Sequence, residues 1–80
     1  MAGTENLNPD ALRELIAASM PYGRYRGRKI AYLPESYLIW YKNKGFPRGR
    51  LGGLMGLMYE IKLNGLEHLL YPLTEKRDNE

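Results

Sequence analysis

Proline and glycine bracket every segment of this chain that has the pattern of a regular element. Proline fixes φ and lacks an N–H donor, whereas glycine opens positive φ, so the two set where elements start and stop. Pro9 opens a first helical pattern, "NPDALRELIAASM", with Asn8 as N-cap and Asp10 in the first turn, where the helix dipole favours an anion. Leu12, Leu15, Ile16 and Ser19 give it a narrow packing stripe at the i, i+3, i+4, i+7 spacing. Pro34 opens a second pattern, "PESYLIWYKNKG", with Lys42 and Lys44 in the last turn and Gly45 at C′. Leu33, Tyr37, Trp40, Tyr41 and Lys44 line one side of it. "FPRGR" leads to a third, "LGGLMGLMYEIKLNG", where Leu51, Leu54, Met55, Met58 and Ile61 recur at helical spacing and Gly65 is the stop. "LEHLLYPL" reads as a short final turn that packs Leu66, Leu69 and Leu70.

Between the first two helices lies "MPYGRYRGRKIAYLP". Gly23 and Gly27 punctuate short runs of aromatic and β-branched residues, which predicts a β-hairpin over Met20–Arg24 and Arg28–Tyr32 with Gly27 at positive φ in the turn. The expected fold class is therefore α+β, three to four short helices packed around a two-stranded antiparallel β-hairpin. Residues 1–7 read as a flexible N-terminus, 8–73 as one small domain and 74–80 as a charged tail.

Eighty residues bury a thin core, and without cysteine no disulfide or thiolate metal site reinforces it. Stability must come from packing, with or without self-association. No targeting signal or eighteen-residue apolar run is visible, so a soluble, cytoplasmic protein with no membrane partner is expected. Gly52 and Gly56 fall four apart in the third helix, as do Gly49 and Gly53. Close backbone packing against the hairpin or another helix, backbone approach to an anion at Gly49–Gly53, and simple tolerance are three readings of that spacing.

Catalytic constellations are lacking. His68 is the single histidine and reads as structural or exposed, no cluster has metal-ligand spacing, and "GRYRG" lacks the ending of a phosphate-binding P-loop. No enzyme, cofactor or metal is expected. The charge is distributed more tellingly. Residues 20–50 hold eight Lys/Arg against Glu35 alone, +7, while the rest holds four against eight acids, −4. Seven of the nine aromatic residues share the basic part, so charge and π-surface coincide there.

That coincidence motivates a candidate nucleic-acid site. Arg24, Arg26 and Arg28 would contact phosphate, Tyr25 would stack on a base, and Gly23 and Gly27 would hold the turn. Lys29, Lys42, Lys44, Arg48 and Arg50 would extend the patch. Of Tyr22, Tyr37, Trp40 and Tyr41, the largest side chains available to a thin core, most are assigned to it, and Tyr25, between two arginines, is the candidate exposed ring. The alternatives are arginines that only keep the hairpin soluble, an acidic protein partner, or a homodimerisation module built on Leu54, Met55, Leu57, Met58 and the Gly52/Gly56 face.

The blocks "MPYGRYRGRKIAYLPESYLIWY", "KGFPRGRLG" and "YEIKLNGLEHLL" resemble a small bacterial domain of unknown function that carries the name putative quorum-sensing-regulated virulence factor. The matching positions include Met20, Pro21, Gly23, Tyr25, Gly27, Leu33, Pro34, Tyr37, Trp40, Gly45, Phe46, Pro47, Asn64 and Gly65. Tyr22 stands where that pattern has phenylalanine, Arg24 and Arg26 where it has lysine, and Gly53 and Gly56 where it has better helix formers. The resemblance implies helices around a two-stranded ribbon and transfers no catalytic residue. Related segments appended to proofreading-type exonucleases make it consistent with a nucleic-acid accessory module.

Overall fold

The computed structural model describes residues 9–70. The expectations for Asn8 and for the segments 1–7 and 74–80 lie outside that range. Helix α1 spans Pro9–Ala17, α2 spans Glu35–Lys44 and α3 spans Gly49–Leu63, with 3-10 turns at Ile30–Tyr32 and Glu67–Leu69. α3 packs against both α2 and the first 3-10 turn, and α1 packs against that same turn.

The hairpin does not form. Among the described residues there is no strand, only an isolated antiparallel bridge between Ser19 and Lys29, so the fold is helical and not α+β. The chain does double back, with Met20 N–H donating to Arg28 O (2.9 Å) and Ile30 N–H to Ala18 O (3.0 Å). Two physical reasons stop the ladder there. Gly23 and Gly27 both take φ of 88°, and the chain between them closes tight turns, Arg26 N–H to Gly23 O and Arg28 N–H to Tyr25 O. In addition, Ile30, Ala31 and Leu33 are all buried. A strand would send Ile30 and Ala31 to opposite faces, whereas a 3-10 turn delivers both to the core.

The helix boundaries follow local chemistry. Pro34 is the N-cap of α2, with Glu35 in the first turn and Lys42 and Lys44 in the last, and Gly45 ends the helix at φ 99°. α3 ends in a Schellman motif: Leu66 N–H donates to Ile61 O (2.9 Å) and Gly65 N–H to Lys62 O (3.2 Å), with Gly65 at φ 67°. The core is aliphatic. It joins Leu12 and Leu15 of α1, Met20, Ile30, Ala31 and Leu33, Leu38 of α2, Leu70, and five residues of α3 between Leu54 and Ile61. No aromatic side chain is fully buried among the described residues. Of the rings assigned to the core, Tyr37 and Tyr41 are half-buried and pack against it, whereas Tyr22 and Trp40 are about half-exposed, which corrects the assignment for those two. No helix among those residues is long and apolar enough to cross a membrane.

Candidate functional site

α2 contributes one fully buried side chain, Leu38. Its Tyr37, Trp40, Tyr41 and Lys44, at helical i, i+3, i+4, i+7 spacing, form one wall of an open groove of about 600 Å³. Gly23, Arg24 and Tyr25 of the 20–28 loop line it as well, together with Ser36. The groove exists because the loop's left-handed corners lay its backbone alongside α2. A Cβ on Gly23 would sit 3.7 Å from the Tyr37 hydroxyl.

The aromatic rings hold one another. Tyr25 meets Tyr37 edge-on with centroids 4.6 Å apart, and Tyr37 lies nearly parallel to Trp40 (17°, 6.0 Å). Tyr41 contacts both Tyr37 and Trp40, and the series continues through Phe46 to Tyr59. Trp40 is 51% exposed, while Tyr25, Tyr37 and Tyr41 are half-buried. Burial, with the neighbouring Tyr25 and Tyr22 phenols, raises the pKa of Tyr37 against a smaller opposing pull from Arg24. Burial and the adjacent Tyr22 raise that of Tyr41. Both phenols are therefore protonated at physiological pH, and no carboxylate lines the groove.

The nine predicted contact residues divide. Arg24 lines the groove with its guanidinium 5.7 Å from the Tyr25 ring centroid. Arg28 lies 5.4 Å from the same centroid and donates from Nε to Tyr32 O at 3.2 Å. Lys44 places its ammonium 5.3 Å from the Trp40 centroid. Arg24, Tyr25 and Lys44 thus line one groove, and Arg28, outside the lining, adjoins it through the Tyr25 ring. The others do not join them. Lys29 donates to Ala17 O (3.2 Å), Lys42 sits over Tyr59, and Arg50 is ion-paired with Glu14 of α1. Arg26 and Arg48 are exposed, lie outside the groove lining and pair with no described acid.

Trp40 and Tyr22, expected among the core rings, are half-exposed, and Tyr25, expected as the exposed ring, is half-buried. For Trp40 the available signal was the helical face itself, where the aromatic stripe runs on into Lys44. A stripe bound for a dry core would not end in a lysine. The third-helix face proposed for self-association is largely internal: Leu54, Met55, Leu57 and Met58 are buried, and Gly52 abuts Pro47. His68 is exposed, and its neighbour Glu67 pairs with Lys62 at 2.8 Å.

Fold and site together define a small helical domain with an open aromatic groove, rimmed by cations and free of carboxylates. The chain belongs to the putative quorum-sensing-regulated virulence factor family, whose model matches residues 8–73. It is 43% identical over 68 residues to the uncharacterized protein YpeB of Escherichia coli K12, covering 84% of this chain and 94% of that relative. The YpeB of Escherichia coli O157:H7 matches to the same extent. No solved structure matches the chain.

Proposed function

We propose that this groove binds nucleic acid with little sequence preference, as a non-enzymatic module, with phosphates on Arg24, Arg28 and Lys44 and a base against Trp40. The observation that carries the reading is the meeting, around one carboxylate-free groove, of a half-exposed indole with cations from two distant parts of the chain. Phosphates are held by Coulomb attraction and counterion release, and arginine adds a planar fork. The same cations suit an acidic peptide, but an exposed ring among them favours a ligand that has a π-face to offer.

Titration of labelled DNA, single-stranded and duplex, tests the proposal. Three phosphate contacts to a single strand give a log–log salt slope of about −2, which is a loss of roughly 20-fold between about 50 and about 200 mM salt. Arg24→Ala should weaken binding and make that slope shallower by about 0.7. Absence of affinity at the lower salt, or affinity indifferent to salt, rejects nucleic acid as the ligand.

A further inference from the structure

Resting on that reading, we infer that the groove takes an unpaired strand in preference to a duplex, with one base on the outer face of Trp40 and a phosphate on either side of it, and that Lys44 covers the Trp40 ring until a phosphate draws it away. Three observations converge on this. The Tyr37–Trp40 separation of 6.0 Å is too small to admit a base between the rings, since a sandwich needs about twice the 3.4 Å base rise. Tyr37 therefore backs the indole, and the open part of Trp40 is the stacking surface. Second, the cations lie at two places, Arg24 and Arg28 beside Tyr25, and Lys44 beside Trp40. That arrangement fits a nucleotide flanked by two phosphates, and 600 Å³ lies within the range of small-molecule sites, roughly 300–1,000 Å³.

The third observation is Lys44 itself, whose ammonium lies over the ring a base would need. An exposed cation–π contact is weak, whereas a base–indole stack joined to a lysine–phosphate contact is stronger, so the exchange favours the bound form. A duplex offers its phosphates but keeps its base faces stacked on one another. Reaching them would require unstacking a step, and the groove has no wedge residue placed to do so.

Trp40 is the only tryptophan in the chain, so indole fluorescence reports on this groove alone. The full chain is titrated with a thymidylate hexamer, an abasic hexamer carrying the same number of phosphates, and a blunt-ended duplex without a loop. The thymidylate should bind most tightly and change the Trp40 emission beyond the smaller change that the abasic strand or the duplex causes by drawing Lys44 off the ring. Lys44→Ala should retain the emission change while the salt slope becomes shallower by about 0.7. By anisotropy of a labelled strand, Trp40→Ala should weaken binding by about 5- to 150-fold, the span of one base–aromatic stack, and Trp40→Phe, which keeps a ring, by less. Equal affinity for duplex and hexamer, or an emission change from the abasic strand as large as that from the thymidylate, overturns the unpaired-base inference and leaves the phosphate reading standing. Loss of the emission change in Lys44→Ala overturns the exchange. No binding of any probe at low salt overturns both readings.

Discussion

Gly52 shows how much a single hydrogen can decide. It lies within α3, where alanine is worth about 1 kcal/mol more than glycine in helix propensity, yet an added Cβ would fall 1.7 Å from Pro47 O and 2.8 Å from Pro47 C. Those are backbone atoms, so no rotamer change relieves the clash; the connection preceding α3 has to move. Overpacking of this kind costs roughly 1–3 kcal/mol or more. Gly52→Ala should therefore lower the urea midpoint despite the better helix former. Its neighbour is the control: a Cβ at Gly53 meets nothing within 4 Å, so Gly53→Ala should stabilise by about 0.4–1 kcal/mol. Opposite shifts of the two midpoints are the expected result, and equal shifts would mean Pro47 does not sit where it is described. Close backbone packing was one of three readings of the Gly52/Gly56 spacing, with the hairpin or another helix as the expected partner, whereas at Gly52 the partner is Pro47 of the connection. The spacing did not indicate that partner, because a carbonyl five residues upstream has no side-chain signature.

At the level of elements, what was legible is whatever short-range chemistry decides. Pro9, Pro34, Gly45 and Gly65 fix starts and stops through φ and missing donors, and the helices sit where those residues put them. The segment 20–32 was not legible in the same way. Its alternation of small and aromatic residues suits a ribbon, and the outcome turned on Ile30 and Ala31 both reaching a core supplied by α1 and α3, residues remote in the chain. The site divided along the same line. The cations and Tyr25 were readable as types in a +7 segment, but their grouping depended on which face of α2 the loop covers. Between elements, burial outweighs charge. Leu15 is fully buried, so Leu15→Ala should cost about 2–5 kcal/mol. The Glu14–Arg50 pair links α1 to α3, but the arginine is largely exposed, so Glu14→Gln should cost under about 1 kcal/mol. Chemical denaturation of the two variants checks the ranking, and a larger loss from Glu14→Gln would reverse it.

Across the fold, the described core is built of leucine, isoleucine, methionine and one alanine, with Ile39 and Leu63 left exposed. Tyr25, Tyr37, Trp40 and Tyr41 form a half-wet layer along α2. That layer predicts an alkaline decline in stability. Tyr37 and Tyr41 have pKa values raised above the ordinary tyrosine value by burial, with Tyr22 and Tyr25 adding to the effect at Tyr37, Tyr22 adding to it at Tyr41, and Arg24 opposing it at Tyr37. Below about pH 10 these phenols are protonated in both folded and unfolded chains and contribute no pH dependence. Above it the unfolded chain releases their protons first while the folded chain still binds them, so stability falls as pH rises through the folded pKa. Urea unfolding followed from about pH 8 to about pH 11 should show that decline, and phenolate absorbance should show two tyrosines ionising late. The discriminating comparison is the double variant Tyr37→Phe with Tyr41→Phe. The double variant keeps the rings and loses the protons, and its stability should fall less steeply over that range. A decline of unchanged steepness would assign it to other groups.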